Sequence, residues 1–557
     1  MPRLLTVPSI AAALLLALQG IARAESSAAD AVPSPAYVEG LLRAFATTEP
    51  VVGKPVSLQD AVTTAVANNP GVLAARQNPE SAAYGVLGAE AVYEPKIRVD
   101  FAYADRSIPT SDVLQGAGTQ LGDPRDDDEY VADVTLSKRL RTGTALELLW
   151  KNTRRTTNSS FEQLSPSFQP SAGVGLEQPL LRDFGGLAAR TSVGLAENTS
   201  FRSAAIYEAE LARFVLGVVD AYWRYNLAEA ELAAKERSFE LARELADDAR
   251  ARVEIGSLPP VAAKEAQSDA AAREEEVIGA RNDLSLRARE LQYRVMLDGN
   301  ASGAPTPVRP GESHQVNRVT LDAAASLTSA IRQRAEARSA RLEIASAELD
   351  QKLARNLLLP RLDLVGRYEV VGLSGLGNPN FAPPPGASGR SETDAFGDSY
   401  DVLDSTDFFR YRIGLALEVP LSNAEARSRS AQADIAARRA EDRLRDVVSD
   451  IALEIQQAVG DVESAEKRVA AAKLARELAE QNLVDQQKRY DVGIVTTTDI
   501  LDFQEKATNA MAAEARAVAD HAIAAAELGR AEGTLLPRYG IRVEFEDAPG
   551  KEWWSRF

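Results

Sequence analysis

Two carboxylates, Asp499 and Asp502, stand three residues apart just after Gly493 and the β-branched run 494–498. Three residues is nearly one helical turn, so a helix starting here presents both acids on one face. A pair of exposed acids attracts cations and repels anions. The plainer alternative is that both are solvated residues of a first turn, where the helix dipole favours an acid. Gly493 and the β-branched residues disfavour helix. One helix therefore ends here and another begins, with Thr498 as the expected N-cap.

Other chemistry is sparse. The chain has no cysteine, which removes thiol catalysis, disulfides and a lipidated N-terminal cysteine. Its two histidines, His314 and His521, have no ligand-spaced neighbours. The acids 126–129 lack the spacing of a calcium loop and are expected in a solvated loop running from residue 122 to 130. No nucleophile elbow, phosphate loop or dinucleotide fingerprint occurs. Neither catalytic residue, cofactor nor metal site is expected. A net charge of −18 argues against nucleic acid as a partner.

The elements that position the acids come next. Residues 1–24 have Arg3, an apolar run and Ala22-Arg23-Ala24, which predicts a cleaved signal peptide. Residues 25–56 are an aperiodic extension. No later apolar run reaches the roughly 18 residues of a spanning helix, so any membrane crossing falls to β-strands. A helix is expected from Ser57, its N-cap, with Asp60 at the capping-box position, bending at Pro70 and ending before Pro95. Beyond Pro95 the period becomes two. Ile97, Val99, Phe101 and Tyr103 alternate with polar residues, as do Tyr130, Ala132, Val134 and Leu136. Strands with one apolar and one polar face suit a barrel with lipid outside and water inside, or a half-buried soluble sheet. A tight turn at residues 139–144 leads to a strand with Leu146, Leu148 and Trp150, and a fourth strand follows at about residue 171. One proline-free helical pattern then covers about residues 187–253, roughly 100 Å at 1.5 Å per residue. After a turn at Gly256, Pro259 and Pro260 a second helix covers 261–296.

The order then repeats. Arg76, Pro95 and Ile97 align with Arg341, Pro360 and Leu362 at one offset, and the six-letter string LARELA occurs at both 241–246 and 474–479. Two repeats, 57–298 and 317–536, flank a Pro/Gly-rich linker, 299–316, and a tail, 537–557, follows. The second repeat has strands at 362–368 and 409–417 around a long polar loop at 372–407, then a helix over 424–490. In that helix Val448, Ile455, Val462 and Val469 alternate with Ile451, Ala458, Ala465 and Ala472 at three-four spacing. This is a coiled-coil seam, which Arg476 interrupts. The few strands cannot close a barrel in one chain, so several copies must contribute. An extra hairpin around residues 129–158 leaves either four or six strands per copy.

The tip Tyr490, Gly493, Asp499, Leu501, Asp502, the QPLLRDFG and VPLSN strand-to-helix junctions and the double repeat resemble the TolC-type outer-membrane efflux proteins over residues 57–536. The resemblance implies a mostly α fold with a β-barrel portion. It is a trimeric transmembrane β-barrel continued by a long α-helical coiled-coil periplasmic tunnel, internally duplicated. It also implies an outer-membrane channel of a tripartite efflux or type I secretion system, without enzymatic activity. Its partners would be outer-membrane lipid, two further copies, a periplasmic adaptor and an inner-membrane pump of the RND or ABC type. Asp499 and Asp502 would ring the periplasmic entrance and Tyr490 would help close the tip. Ile255, Gly256 and Ser257, with Val492, Gly493 and Ile494, would receive the adaptor, or serve only as turn residues. Val495 stands where well-known members have a locking arginine. The competing reading is a non-conducting coiled-coil protein that bridges envelope layers.

Overall fold

The computed structural model describes residues 54–109, 124–295, 308–311, 322–381, 396–492 and 494–543. The signal peptide and most of the N-terminal extension, linker and tail lie outside them, as do His314 and Gly493. The chain divides into two units. One comprises Ala75–Glu210, Leu327–Glu454 and residues from Arg542 on; the other comprises residues up to Ala74, Leu211–Ser326 and Ile455–Ile541.

The first unit holds the sheet. Strands β2 (Lys96–Ile108), β3 (Arg125–Arg139), β4 (Ala145–Thr157) and β5 (Leu164–Pro179) come from the first repeat. The second repeat supplies β7 (Arg361–Val371), β8 (Ser374–Gly377) and β9 (Phe409–Glu418). The order is β2-β3-β4-β5-β7-β9, every pair antiparallel, with short β8 paired to β5. Six strands therefore form the wall, and the hairpin at 129–158 belongs to it.

The two faces of this sheet are inverted relative to a soluble fold. Directly opposed residues share a face, so the register Val99↔Val134, Val134↔Trp150, Trp150↔Ala172, Ala172↔Val370 and Val370↔Phe409 traces one apolar row. That face is exposed: Ile97 is 71 % accessible, Ile413 76 %. The opposite face is polar: Ser171 and Asp363 are only 5 % accessible, while many of its charged side chains are half exposed. Ion pairs lace it across strands: Arg106–Glu129 at 3.4 Å, Arg155–Asp127 at 3.0 Å, Arg367–Glu147 at 2.9 Å and Arg361–Glu177 at 2.7 Å. Aromatic rings gather on the apolar face toward the strand ends remote from the helices. Tyr103 meets Tyr130 at 4.7 Å, and Tyr368 stacks with Phe409 at 6.1 Å.

Two loop expectations are corrected here. Residues 125–130 continue β3, because every acid finds a donor. Asp126 accepts from Ser107, Asp127 pairs with Arg125 and Arg155, Asp128 accepts from Tyr103 and Glu129 pairs with Arg106. Within 372–407, β8 and a short helix are ordered. The helix rests on the apolar face through Phe396 against Phe168 and a hydrogen bond from Asn152 to Tyr400.

The helices follow their punctuation. Ser57 caps α1 (Leu58–Asn68), its Oγ accepting from the Asp60 N–H at 3.0 Å, and α2 (Pro70–Glu90) begins afresh at the proline. In chain order the rest are α3 (Leu187–Glu254), α4 (Pro260–Val295), α5 (Ala323–Gln333), α6 (Ala335–Asn356) and α7 (Gly397–Asp404), the short helix on the sheet. Then come α8 (Ala424–Asp491), α9 (Thr497–Glu532) and α10 (Leu535–Arg538). Along α8 the seam is buried at Ile451, Ile455, Ala458, Val462, Ala465 and Val469. Arg476 leaves it and reaches Glu514 on α9. In the second unit β1 (Lys54–Val56) pairs in parallel with β6 (Val308–Pro310). Tyr222 Oη donates to the Val56 carbonyl at 3.1 Å and accepts from the Gly311 N–H at 3.2 Å, so extension and linker meet on one residue of α3.

Candidate functional site

The second unit contains the end of α3, the start of α4, the end of α8 and the start of α9, and with them the sequence-predicted site residues. Gly256, at φ +78°, makes the α3–α4 turn, where a β-carbon would meet nothing within 4 Å. The Ser257 N–H returns to the Arg252 carbonyl at 2.8 Å. In the other turn the Ile494 N–H donates to the Arg489 carbonyl at 3.0 Å. Ile255, Val492 and Ile494 are fully exposed apolar side chains at these tips, each accessible by 70 % or more.

Helix α9 starts two residues earlier than a cap at Thr498 would place it. Thr496 is the N-cap: its Oγ1 accepts from the Asp499 N–H at 3.3 Å, and Asp499 Oδ2 accepts from the Thr496 N–H at 2.8 Å. This reciprocal box satisfies two donors at the helix start, a gain that a cap at Thr498 would forgo. Thr498 instead faces α4, its hydroxyl 3.4 Å from Glu265. Hydrogen bonds from the Thr496 hydroxyl and N–H hold the Asp499 carboxyl below the usual carboxylate range. Asp502 is paired with Lys506 at 2.5 Å, and that ammonium also lies 5.0 Å from the Phe503 ring. Both acids are exposed on one side of α9, as the spacing predicts.

The opposite side of the α9 start is packed. Tyr490, Ile500 and Leu501 form a cluster with Leu245 of α3, and Val495 packs against it. Val495 thus fills apolar space where the resemblance would have a charge. The Arg252 guanidinium lies 4.9 Å from the centre of the Tyr490 ring, a cation–π contact. The Tyr490 hydroxyl is buried and has no hydrogen-bond partner among the described residues.

One residue at this site was not singled out from the sequence. Arg273 of α4 is buried and ties three helices together. It donates to Ser238 Oγ of α3, to the Leu501 carbonyl of α9 at 3.3 Å and, through Nε, to Asp269 one turn earlier at 2.6 Å. The signal was present: Ala262, Ala266, Arg273 and Val277 share the buried stripe of α4, and only one of them is charged. A buried guanidinium requires partners, so its position marks a junction.

Residues 326–534 match the family described as outer membrane efflux protein. No match was found among curated proteins. Among solved structures, the CmeC outer membrane channel of Campylobacter jejuni is similar, with 15 % identity, TM-score 0.58 and 86 % of each chain covered. VceC of Vibrio cholerae shows 15 % identity and TM-score 0.57, over 86 % of this chain and 96 % of its own. The open state of the MtrE outer membrane channel of Neisseria gonorrhoeae shows 16 % identity and TM-score 0.56, over 86 % and 89 %. These likenesses carry the fold alone, and the family match covers the second repeat. Residues 326–534 therefore match the outer membrane efflux protein family, and the chain, with its doubled order of helix, strands, long helix, turn and helix and its inverted sheet, shares the fold of solved outer membrane channels.

Proposed function

We propose that three copies of this chain form a passive conduit across the outer membrane and periplasm, serving a tripartite efflux or type I secretion system. The observation that carries this is the inverted sheet: an exposed apolar face, a polar face laced with ion pairs and two long edge strands. Lipid covers the first, water fills the space behind the second, and neighbouring copies take the edges. In this reading Asp499 and Asp502 from three copies crowd around one axis at the periplasmic entrance. Such crowding attracts multivalent cations. The exposed tips at Ile255 and at Val492 and Ile494 are the docking points for a periplasmic adaptor, which links the conduit to an inner-membrane pump of the RND or ABC type.

Single-channel recording of the purified protein in a planar bilayer tests this. Cation-selective steps blocked by micromolar trivalent cation from the tunnel side are expected. The block should weaken in the Asp499→Ala, Asp502→Ala double variant. Unchanged block in that variant would remove these acids from the entrance. Membrane-inserted protein that never conducts, even with its tip residues altered, would favour a non-conducting bridge between envelope layers.

A further inference from the structure

The two repeats contribute unequally to the wall. Each opens its sheet just after a proline, Pro95 or Pro360, and closes it at a Pro-Leu pair, Pro179-Leu180 or Pro420-Leu421. By that correspondence β2 and β5 match β7 and β9. The hairpin β3–β4 has no counterpart and stands between β2 and β5. It runs the height of the sheet: β3 pairs with β2 from Arg125 to Ser137, and with β4 from Asp127 to Arg139. Its side chains keep the wall's alternation, with Val134, Leu148 and Trp150 on the apolar face and Glu129, Glu147 and Arg155 on the polar one. The turn between them is fixed at the helical end. Gly143, at φ +86°, lies so close to Gly186 that a β-carbon would come within 2.6 Å of its backbone nitrogen.

We infer that β3–β4 is a wall-widening insertion, so that three copies of six strands close an eighteen-strand barrel through pairing of β9 in one copy with β2 in the next. This rests on the trimeric outer-membrane reading above. Three observations support the closure. Strand direction alternates along the path, and six is even, so β9 of one copy and β2 of the next meet antiparallel with no direction reversed. β2 and β9 each have one paired side, and no strand among the described residues occupies the other. Their apolar residues, Ile97 to Tyr103 and Phe409 to Leu417, lie on the same face, so the lipid-facing surface continues across the junction. Barrel diameter grows roughly linearly with strand number, so six strands per copy widen the bore about 1.5-fold relative to four. A barrel of that size leaves an aqueous channel. Selection by size then falls to the helical tips.

The native chain lacks cysteine, so cysteine cross-linking in isolated outer membranes tests this without background. Val99→Cys with Val134→Cys, direct partners in the register, should close within one chain and shift the migration of the denatured monomer. Val99→Cys with Ala172→Cys should not, because two strands separate them. The reverse pattern would take the hairpin out of the wall and overturn the proposal. Phe101→Cys combined in turn with Tyr411→Cys, Ile413→Cys and Leu415→Cys samples three registers of the β9–β2 junction. At least one should give an interchain ladder ending at three. No ladder in any register would overturn the edge closure. A ladder ending elsewhere would overturn the trimer and the count of eighteen, while leaving the intrachain result to report on the hairpin alone.

Discussion

Arg273 concentrates at one side chain what the tip needs from several helices. Its guanidinium holds the α9 backbone at Leu501 while its charge is met by Asp269. Arg273→Met should loosen the start of α9 by about 2 kcal/mol, the scale for hydrogen bonds to a charged group. Hydrogen–deuterium exchange of the first two turns of α9 should accelerate by more than tenfold, and Arg273→Lys should restore only part of the protection, since a compact ammonium lacks the planar fork whose separate nitrogens reach the partners. The N-cap gives a second expectation. Thr496→Ala removes a cap worth about 1 kcal/mol and should let the Asp499 carboxyl rise toward its ordinary range, measurable by NMR titration of a labelled carboxylate. The sign follows from linkage: a carboxyl depressed in the folded state contributes stability above its unfolded pKa and loses it as pH falls through its lower folded value. The wild-type cap therefore persists through mild acid and fails only below the ordinary carboxylate range.

Tyr490 separates two ways in which a helical hairpin can be held. Its ring is enclosed by Leu245, Ile500 and Leu501 beneath Arg252, while its hydroxyl has no partner among the described residues. Tyr490→Phe should leave the melting temperature of the purified protein unchanged, whereas Tyr490→Ala should destabilise the tip by about 3 kcal/mol through the cavity it leaves. A change in channel opening with Tyr490→Phe would show that the hydroxyl serves a neighbouring copy. Along α8, Ile455→Ala should lower stability by about 2 kcal/mol or more, because its side chain is 2 % accessible in the seam. These elements were legible in advance: periodicity and proline placement located α3, α4, α8 and most strands to within a few residues. The cap of α9 was misplaced because three threonines in a row, at 496 to 498, offer equivalent hydroxyls and only hydrogen bonding selects one. Arg273 was overlooked because a charged residue on a stripe of small alanines reads as solvent-facing until three helices close over it. The strand at 125–130 was hidden because its acids resemble a loop until Arg106 and Arg155 are brought opposite them.

At the scale of the whole molecule, the repeat and the alternation announced a duplicated helical and β-stranded fold, while strand number required the register. The exposed apolar face makes a direct prediction. Ile413→Arg, near the middle of β9, should destabilise the inserted protein by about 2–4 kcal/mol and reduce the heat-resistant oligomer on gels. Lys151→Arg on the polar face should leave that oligomer unchanged. The open edges of the sheet have a further consequence. A chain that completes its wall only by borrowing strands has no folded monomer of its own, so its unfolding free energy contains a concentration term. Diluting the protein in detergent should lower its melting temperature. In the cell, the number of finished channels should fall more steeply than the rate of synthesis, because each requires unfinished copies to meet before their bare strand edges find other partners.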